Sequence, residues 1–366
     1  MFGFSKTYMC PTCLEDLRKS DVQVCCDKNI DHVRPDTLAG KKMNNCKECD
    51  GHYTRLRCSK CGPTSKEYLP SGFLDFDGYI RFAMVAPSGA GKTCFITVMM
   101  EELKRARSLR LLPQCTGETK LIFEKNRKLL YDEHDTPETT TPGVVTPMIW
   151  KILDPKRGNK TSTPAYSMTI FDGAGEDLEK DRMDPTICRY LSKAKCIFLL
   201  LDPVQIETVR RNMTSEQINS ASSGQGKSVK NIVGPLVEFI QEQTHAKVKQ
   251  KINIPLAVIF CKIDVVKEKF ESALTLQPSG HVNNGKFMIS EADTVHNEIK
   301  GWLESQGEYE LTDLLDSSFT NWRYFGVSAF GQPPVKGAGL NDIQPLRILD
   351  PLIWAMSLEK LIDISK

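Results

Sequence analysis

Apolar residues along this chain fall into short blocks separated by polar turns, and the blocks set out an alternation of strands and helices. Tyr79 to Val85 reads as a buried strand, and from Lys92 to Lys104 the apolar positions Phe95, Val98, Met99 and Leu103 recur at helical spacing. A charged stretch follows, then loop chemistry over Glu138 to Gly143. Val145 to Leu153 and Ala165 to Phe171 read as strands joined through the turn residues Asp154 to Asn159. That connection is too short for a helix, so the two strands must pair antiparallel. Cys196 to Leu201 is another buried strand, ending at Asp202-Pro203, and Thr208 to Val229 is polar enough to be an insertion. Helical spacing around Val233 to Lys247, a strand from Pro255 to Cys261, helical spacing around Ala292 to Leu303 and a strand from Tyr324 to Val327 complete the alternation. Asp350 and Pro351 suit the N-cap and first position of a terminal helix. The pattern predicts an α/β fold, a three-layer arrangement around a mostly parallel sheet with one antiparallel edge strand.

The break between the first strand and its helix carries chemistry. Ala86-Pro87-Ser88-Gly89-Ala90-Gly91-Lys92-Thr93 fits the phosphate-loop pattern G-x-x-x-x-G-K-[ST], with alanine in the first glycine's place. Gly89 and Gly91 let the backbone curl so that the N–H groups from Ser88 through Ala90 to Cys94 face an anion, and the helix adds its own N-terminus. Lys92 would reach the terminal phosphates, and the Thr93 hydroxyl would ligate Mg²⁺. An ordinary glycine-rich turn would need neither the lysine nor the threonine, so the stretch reads as a nucleoside triphosphate site. Gly224-Gln-Gly226-Lys227-Ser228 mimics the pattern inside the polar insertion, but no apolar strand precedes it and the match is chance.

Composition narrows the class. The chain has 366 residues, a net charge of +2 and a sequence pI near 7.9, which excludes a bulk polyanion or a membrane surface as the obvious partner. No secretory pattern opens the sequence and no apolar run could cross a bilayer, so a soluble cytoplasmic protein is expected. Of 13 cysteines, eight lie before residue 62. In a reducing compartment such clustering favours metal over disulfides. Cys10-Pro-Thr-Cys13, Cys46-Lys-Glu-Cys49 and Cys58-Ser-Lys-Cys61 are three knuckles that each put two thiolates on one side of a turn, as tetrahedral Zn²⁺ requires. Cys46, Cys49, Cys58 and Cys61 would complete one site. A second could use Cys10, Cys13, one or both of Cys25 and Cys26, with His32 or His52 as a further candidate, and interleaved pairing is equally allowed. One or two zinc ions are therefore expected over residues 1–70, a zinc-ribbon-like module too short to fold without metal. Its acidic and basic residues are nearly balanced, so a docking or stapling role outweighs nucleic-acid binding.

Two aspartates compete as the carboxylate on the metal side of the phosphates. Asp202 closes Ile197 to Leu201, the apolar run plus Asp of many ATPases, but Pro203 stands where their water-positioning glutamate would be. Asp172 closes Met168 to Phe171 and opens Gly173-Ala174-Gly175-Glu176, where Gly175 could bring its N–H to a γ-phosphate.

With these motifs in this order, the chain resembles the Ras-like, TRAFAC-class P-loop GTPases. The resemblance implies that a loop threonine among Thr139, Thr140 and Thr141, taken as Thr141, covers Mg²⁺ and the γ-phosphate. It implies further that Asp172 to Gly175 is the D-x-x-G motif, Cys261-Lys262-Ile263-Asp264 the base motif [NT]-K-x-D, and Ser328-Ala329 the last guanine contact. Asp264 has a physical reason: guanine offers N1–H and an amino group side by side, and one carboxylate accepts from both. Adenine would leave that carboxylate partly unpaired, at about 1–3 kcal/mol. Lys262 would lie along the base, and the Ala329 N–H would donate to guanine O6. Three departures stand out. Ala86 replaces a glycine and is tolerable only with negative φ. Cys261 replaces Asn or Thr, which removes one side-chain bridge to the P-loop. Glu176 occupies the place of the water-orienting glutamine, which implies slow turnover that awaits a partner. Arg182, Arg189, Arg210 and Arg211 are candidate arginine fingers, though solvated surface arginine is the plainer reading.

The order of zinc knuckles, Leu-Pro linker and GTPase motifs over residues 76–366, with Leu201-Asp202-Pro203 and Leu349 to Trp354, is similar to bacterial TRAFAC-clade GTPases of the double-GTPase group. That group is placed in conflict or defence systems. It implies a Mg²⁺-dependent GTP/GDP switch read by a protein effector, possible also as a nucleotide-dependent homodimer, with the polar insertion at about 208–230 on its surface. Two alternatives stay open: an ATPase assembly factor using Asp202, and a scaffold that holds GTP without hydrolysing it.

Overall fold

The computed structural model describes residues 8–35, 44–61, 68–70, 72–87, 89–115, 117–137, 146–172, 190–215, 218, 230–243, 250–270, 272–333, 340 and 342–366. The first elements are small. β1 (Tyr8–Met9) pairs antiparallel with β2 (Asp16–Leu17), and β3 (Val22–Cys26) with β4 (Tyr53–Cys58). Two-stranded ribbons of this size are marginal alone. Here Tyr8, Leu17 and Leu69 pack on Phe73 and on Tyr79, the second residue of β5 (Gly78–Val85).

From β5 the chain alternates. It runs through α1 (Lys92–Arg105), β6 (Leu112–Cys115), α2 (Gly117–Tyr131), β7 (Thr146–Leu153), β8 (Ala165–Asp172) and β9 (Cys196–Leu201). It continues through α3 (Lys230–Gln243), β10 (Leu256–Phe260), β11 (Phe287–Met288), α4 (Ile289–Ser305), α5 (Tyr309–Ser318), β12 (Trp322–Gly326), α6 (Asp350–Leu358) and β13 (Ile364–Ser365). Seven strands form one sheet in the order β12-β10-β9-β5-β8-β7-β6. The five from β12 to β8 are parallel, β7 is antiparallel to β8, and β6 is antiparallel to β7. β11 and β13 pair separately.

Central strands covered on both faces read as unbroken apolar runs. β9 and β10, buried at every position, follow that rule. Successive side chains point to opposite faces, so Phe82, Met84, Phe198, Leu200 and Ile259 join α1, α2 and α6 in one core. Val85, Leu199, Leu201, Val258 and Phe260 join α3, α4 and α5 in the other. The expected three layers follow.

The sheet differs from expectation at its edge. The antiparallel strand of the hairpin is internal, because β6 adds to it with Leu112 opposite Leu153. The charged stretch after α1 holds both β6 and α2, whose buried residues Thr119, Phe123, Asn126 and Leu130 recur at helical spacing. Thr119 Oγ1 accepts from Ile149 N–H at 2.8 Å and pins α2 to β7. At the C-terminus, Asp350 is not a cap but the first residue of α6, where its buried carboxylate accepts from Ser279 Oγ at 2.5 Å and pairs with Arg347 at 2.7 Å. Most of the expected polar insertion, 216–217 and 219–229, lies outside the described residues. Among the described residues no helix is long and apolar enough to cross a membrane.

Candidate functional site

β5 is the middle strand of the sheet, and the loop at its C-terminal end has the backbone the phosphate pattern demands. Gly89 and Gly91 both have left-handed φ, +76° and +84°, which a β-carbon would strain. Ala86 is buried and is not among the residues with positive φ, so alanine fits where a glycine was expected. α1 begins at Lys92, which is buried, with Gly91 as its left-handed N-cap. Thr93 follows, its carbonyl accepting from Thr97 Oγ1 at 2.8 Å. Burial pushes the Cys94 thiol up to about 12, so it brings no negative charge to the place a phosphate would occupy. Ser88 lies outside the described residues.

The stretch from Cys261 to Asp264 packs beside this loop. Parallel register sets Phe260 against Leu201, so Cys261 and Lys262 leave β10 level with Asp202 leaving β9. Lys262 takes a left-handed φ of +56° and turns its side chain back over the loop. A β-carbon on Gly91 would lie 3.8 Å from Lys262 Cε. The Lys262 ammonium donates to the Gly89 carbonyl at 3.2 Å and to Asp202 Oδ2 at 2.5 Å. Burial pulls its pKa down, Asp202 pushes it up, and the balance lies above the ordinary value. Asp264 is buried and hydrogen-bonded by the Ser328 hydroxyl; burial outweighs that bond and raises its carboxyl above the usual range. Ser328 Oγ in turn accepts from Gly331 N–H at 2.8 Å, and half-buried Ala329 follows.

Two expectations change here. Cys261 keeps the bridge that its replacement of Asn or Thr was expected to remove: its Sγ lies 3.1 Å from the Ala90 carbonyl and 3.2 Å from that of Leu201. Burial raises the thiol's pKa, so it holds the proton it donates. Asp202, the rival metal-side carboxylate, is fully buried and already engaged by Lys262 and by Val204 N–H at 2.9 Å. Sequence alone did not link Asp202 to Lys262; the signal was present in the adjacency of two apolar runs each followed by a charge.

On the other side of β5, the β8 register sets Asp172 opposite Met84, so its backbone ends beside the phosphate loop. Thr139, Thr140, Thr141, Gly175, Glu176, Arg182 and Arg189 lie outside the described residues. Arg211 forms a surface pair with Glu207 of its own helical turn, and Arg210 lies on the same turn.

The cysteines gather into two groups, in the interleaved pairing. Cys10, Cys13, Cys58 and Cys61 bring their sulfurs within 4.8 Å of one another, with Cys10 and Cys61 at 3.4 Å and Cys13 and Cys58 at 3.8 Å. Cys26, His32, Cys46 and Cys49 form the second group, with Cys26 and Cys49 at 3.4 Å and Cys46 Sγ 3.5 Å from His32 Nδ1. Zn–S bonds of about 2.3 Å in a tetrahedron put sulfurs about 3.8 Å apart, so both groups fit a metal. Backbone N–H groups of Thr12 and Lys28 point at Cys10 and Cys26 Sγ, each at 3.4 Å, and His32 Nε2 faces Glu48 at 3.5 Å, which would orient the ring. Cys46 and Cys49 therefore do not join Cys58 and Cys61. Cys25 belongs to neither group: it precedes Cys26 on β3, and neighbours on a strand face opposite ways. His52 also stays outside, its N–H donating to Asp27 at 2.7 Å.

No protein-family model matches the chain. A curated protein of Mycolicibacterium smegmatis, named "Putative ESX-1 scaffolding and assembly protein SaeC", is 22% identical over 320 residues, covering 79% of this chain and 77% of its own length. Among solved structures, the S. cerevisiae Ski7 GTPase-like domain bound to GTP superposes with a TM-score of 0.35 at 9% identity, over 80% of this chain and 52% of that one. Era in complex with MgGDPNP and a 16S ribosomal RNA segment gives 0.30 at 10% identity, over 79% and 58%. The chain thus spans about half the length of the Ski7 chain.

Proposed function

We propose that this chain is a Mg²⁺-dependent GTP-binding switch that hydrolyses GTP slowly without a partner. The observation that carries this reading is the base motif built onto the phosphate loop: Lys262 across Gly91 and onto Gly89, Cys261 onto Ala90, and Asp264 held by Ser328. A buried carboxylate fixed there suits the paired donors of guanine and penalises adenine. Lys92 and the loop N–H groups would hold the phosphates, and Thr93 and Asp172 would hold Mg²⁺ with Thr141 covering it. Gly175 would contact the γ-phosphate and Glu176 would face the attacking water. The alternative with Asp202 as the ATPase carboxylate is disfavoured, since that group is already the counter-ion of Lys262. The two cysteine groups would hold Zn²⁺ and build a docking module over residues 1–70, next to the GTPase unit from residue 76. An effector protein would read the nucleotide state, in the cytoplasm and, as the double-GTPase resemblance implies, within a defence system.

A second reading is a scaffold that holds GTP without turnover. The relative named for scaffolding and assembly favours it, as does glutamate at position 176. Phosphate release from the purified chain separates the two.

The test of base choice is binding of labelled GTP and ATP, with Mg²⁺, to wild type and to Asp264→Asn. A strong GTP preference that moves to xanthosine triphosphate in the variant is expected. Equal binding of both bases, unchanged by the substitution, would overturn the reading.

A further inference from the structure

The first cysteine group does more than staple the N-terminal ribbons. Its knuckle turns at Leu14, whose φ is +60° although leucine carries a β-carbon. Such backbone costs about 1–3 kcal/mol and persists only where its surroundings impose it. Here Leu14 N–H donates to the Cys10 carbonyl at 3.0 Å and Cys10 N–H to the Glu15 carbonyl at 3.1 Å. The turn presses Leu14 against Phe171 and Tyr190, and all three are buried in one cluster. The two rings stack with centroids 4.0 Å apart. Thr12 joins the metal group to the same cluster: its N–H points at Cys10 Sγ and its carbonyl accepts from the Tyr190 hydroxyl, each at 3.4 Å. Met9, just before the knuckle, touches the Arg81 guanidinium, whose Nε donates to the Lys193 carbonyl at 2.7 Å.

Phe171 is the residue before Asp172, and Tyr190 is the first described residue after 189. Both ends of the segment carrying Asp172, Gly175 and Glu176 therefore rest on one turn that four sulfurs would fix. The ligands of the second group are absent from this cluster.

We propose that metal binding at Cys10, Cys13, Cys58 and Cys61 is thermodynamically linked to nucleotide binding through Leu14, Phe171 and Tyr190, so that the metal sets how well the site tells GTP from GDP. The proposal rests on the GTP reading of Asp172 to Glu176. With metal, the turn holds Phe171, and hence the start of the Asp172 segment, in one place. Without it, no ion joins the four sulfurs, the knuckle opens and Leu14 leaves the rings. Linkage is reciprocal: whatever factor the metal adds to GTP preference, GTP adds to metal retention.

The test uses the full chain loaded with Zn²⁺. Leu14→Ala keeps every sulfur and removes the contact. It should retain its full zinc content while its ratio of GTP to GDP affinity falls at least ~5-fold, the lower range of measured couplings. In wild type, transfer of zinc from the first centre to a chromophoric chelator should be slower with a non-hydrolysable GTP analogue than with GDP, and Leu14→Ala should erase the difference. Cys49→Ser, which breaks only the second group, isolates the first centre's signal. Should Leu14→Ala not fold, Tyr190→Phe, which keeps the stack and loses only the bond to Thr12, should shift both readouts in the same direction. Unchanged affinity ratios and nucleotide-independent zinc transfer would overturn the linkage while leaving GTP binding intact. A wild type without guanine preference would overturn the GTP reading and the linkage with it.

Discussion

Replacing Lys262 by methionine tests the pairing of Lys262 with Asp202 beside the glycine loop. In the native chain Asp202 has no exposed side-chain surface, and it meets Lys262 Nζ at 2.5 Å and Val204 N–H at 2.9 Å. The substitution leaves that carboxylate buried with its turn N–H as the remaining partner shown here. Removing one member of a buried ion pair costs about 3–5 kcal/mol. The Lys262 side chain is 25% exposed, so water can reach part of the vacated space, and the expected loss is nearer 2–3 kcal/mol. Asp202→Asn keeps an acceptor for Val204 and frees Lys262 to turn to solvent, so it should cost about 1 kcal/mol. The double variant, with no buried charge, should recover about 1–2 kcal/mol of the summed losses. Urea unfolding of the nucleotide-free, zinc-loaded protein measures all three, with the midpoint shifting at constant slope. A Lys262→Met loss below about 0.5 kcal/mol with additive single variants would refute the pairing.

Cys261→Ala, which deletes the thiol bonded to the Ala90 carbonyl, should weaken GTP binding about 5-fold, while Cys261→Ser, still a donor, should stay within about two-fold; fluorescent-nucleotide titration reads both. Metal analysis should find two zinc ions per chain, one after Cys58→Ser or Cys49→Ser and still two after Cys25→Ser, which separates the interleaved groups from any set that includes Cys25. His296, lowered from 6.5 to about 4 by burial and by Arg323, gives a pH signature. Above pH 6.5 both states are neutral, but between 6.5 and about 4 only the unfolded chain takes up the proton, so stability is lost as the pH is lowered through that window. The loss approaches about 2 kcal/mol after allowance for the ring's partial exposure, and His296→Asn should remove one proton from the slope of unfolding free energy against pH.

Legibility followed chemistry that is local in the chain. The phosphate loop, the apolar central strands and the hairpin before Asp172 could be read because each depends on residues adjacent in sequence or two apart. α2 hid behind its charges: its stripe includes Thr119 and Asn126, and Leu121 faces solvent at 69% exposure, so apolar count and burial disagree along it. β6 is short, holds Pro113, and exists because β7 offers it a partner. Zinc pairing could not be read because knuckle spacing is the same for sequential and interleaved sites. It is decided by the ribbon β3–β4, which sets Cys26 opposite Tyr53 while Cys58 lies at the other end. Asp350 looked like a cap beside Pro351, yet burial with Arg347 and Ser279 gives its carboxylate other partners.

The allocation of two aspartates around one loop bears most directly on nucleotide class. β5 has β8 on one side and β9 on the other; β8 ends at Asp172 and β9 is followed by Asp202, and either residue is a candidate to face a metal beside Thr93. A carboxylate that holds Mg²⁺ must keep its charge free for the ion. Buried Asp202 has instead given its charge to Lys262, which is 25% exposed, and Lys262 spends the same ammonium on the Gly89 carbonyl. Withdrawing Asp202 to a metal would break its 2.5 Å bond to Lys262. The Lys262–Asp202 pair and a metal role for Asp202 therefore compete for one carboxylate. Asp202 being so engaged leaves Asp172, at the end of the strand whose flank also carries the cysteine turn, as the carboxylate that the proposed GTP site would use.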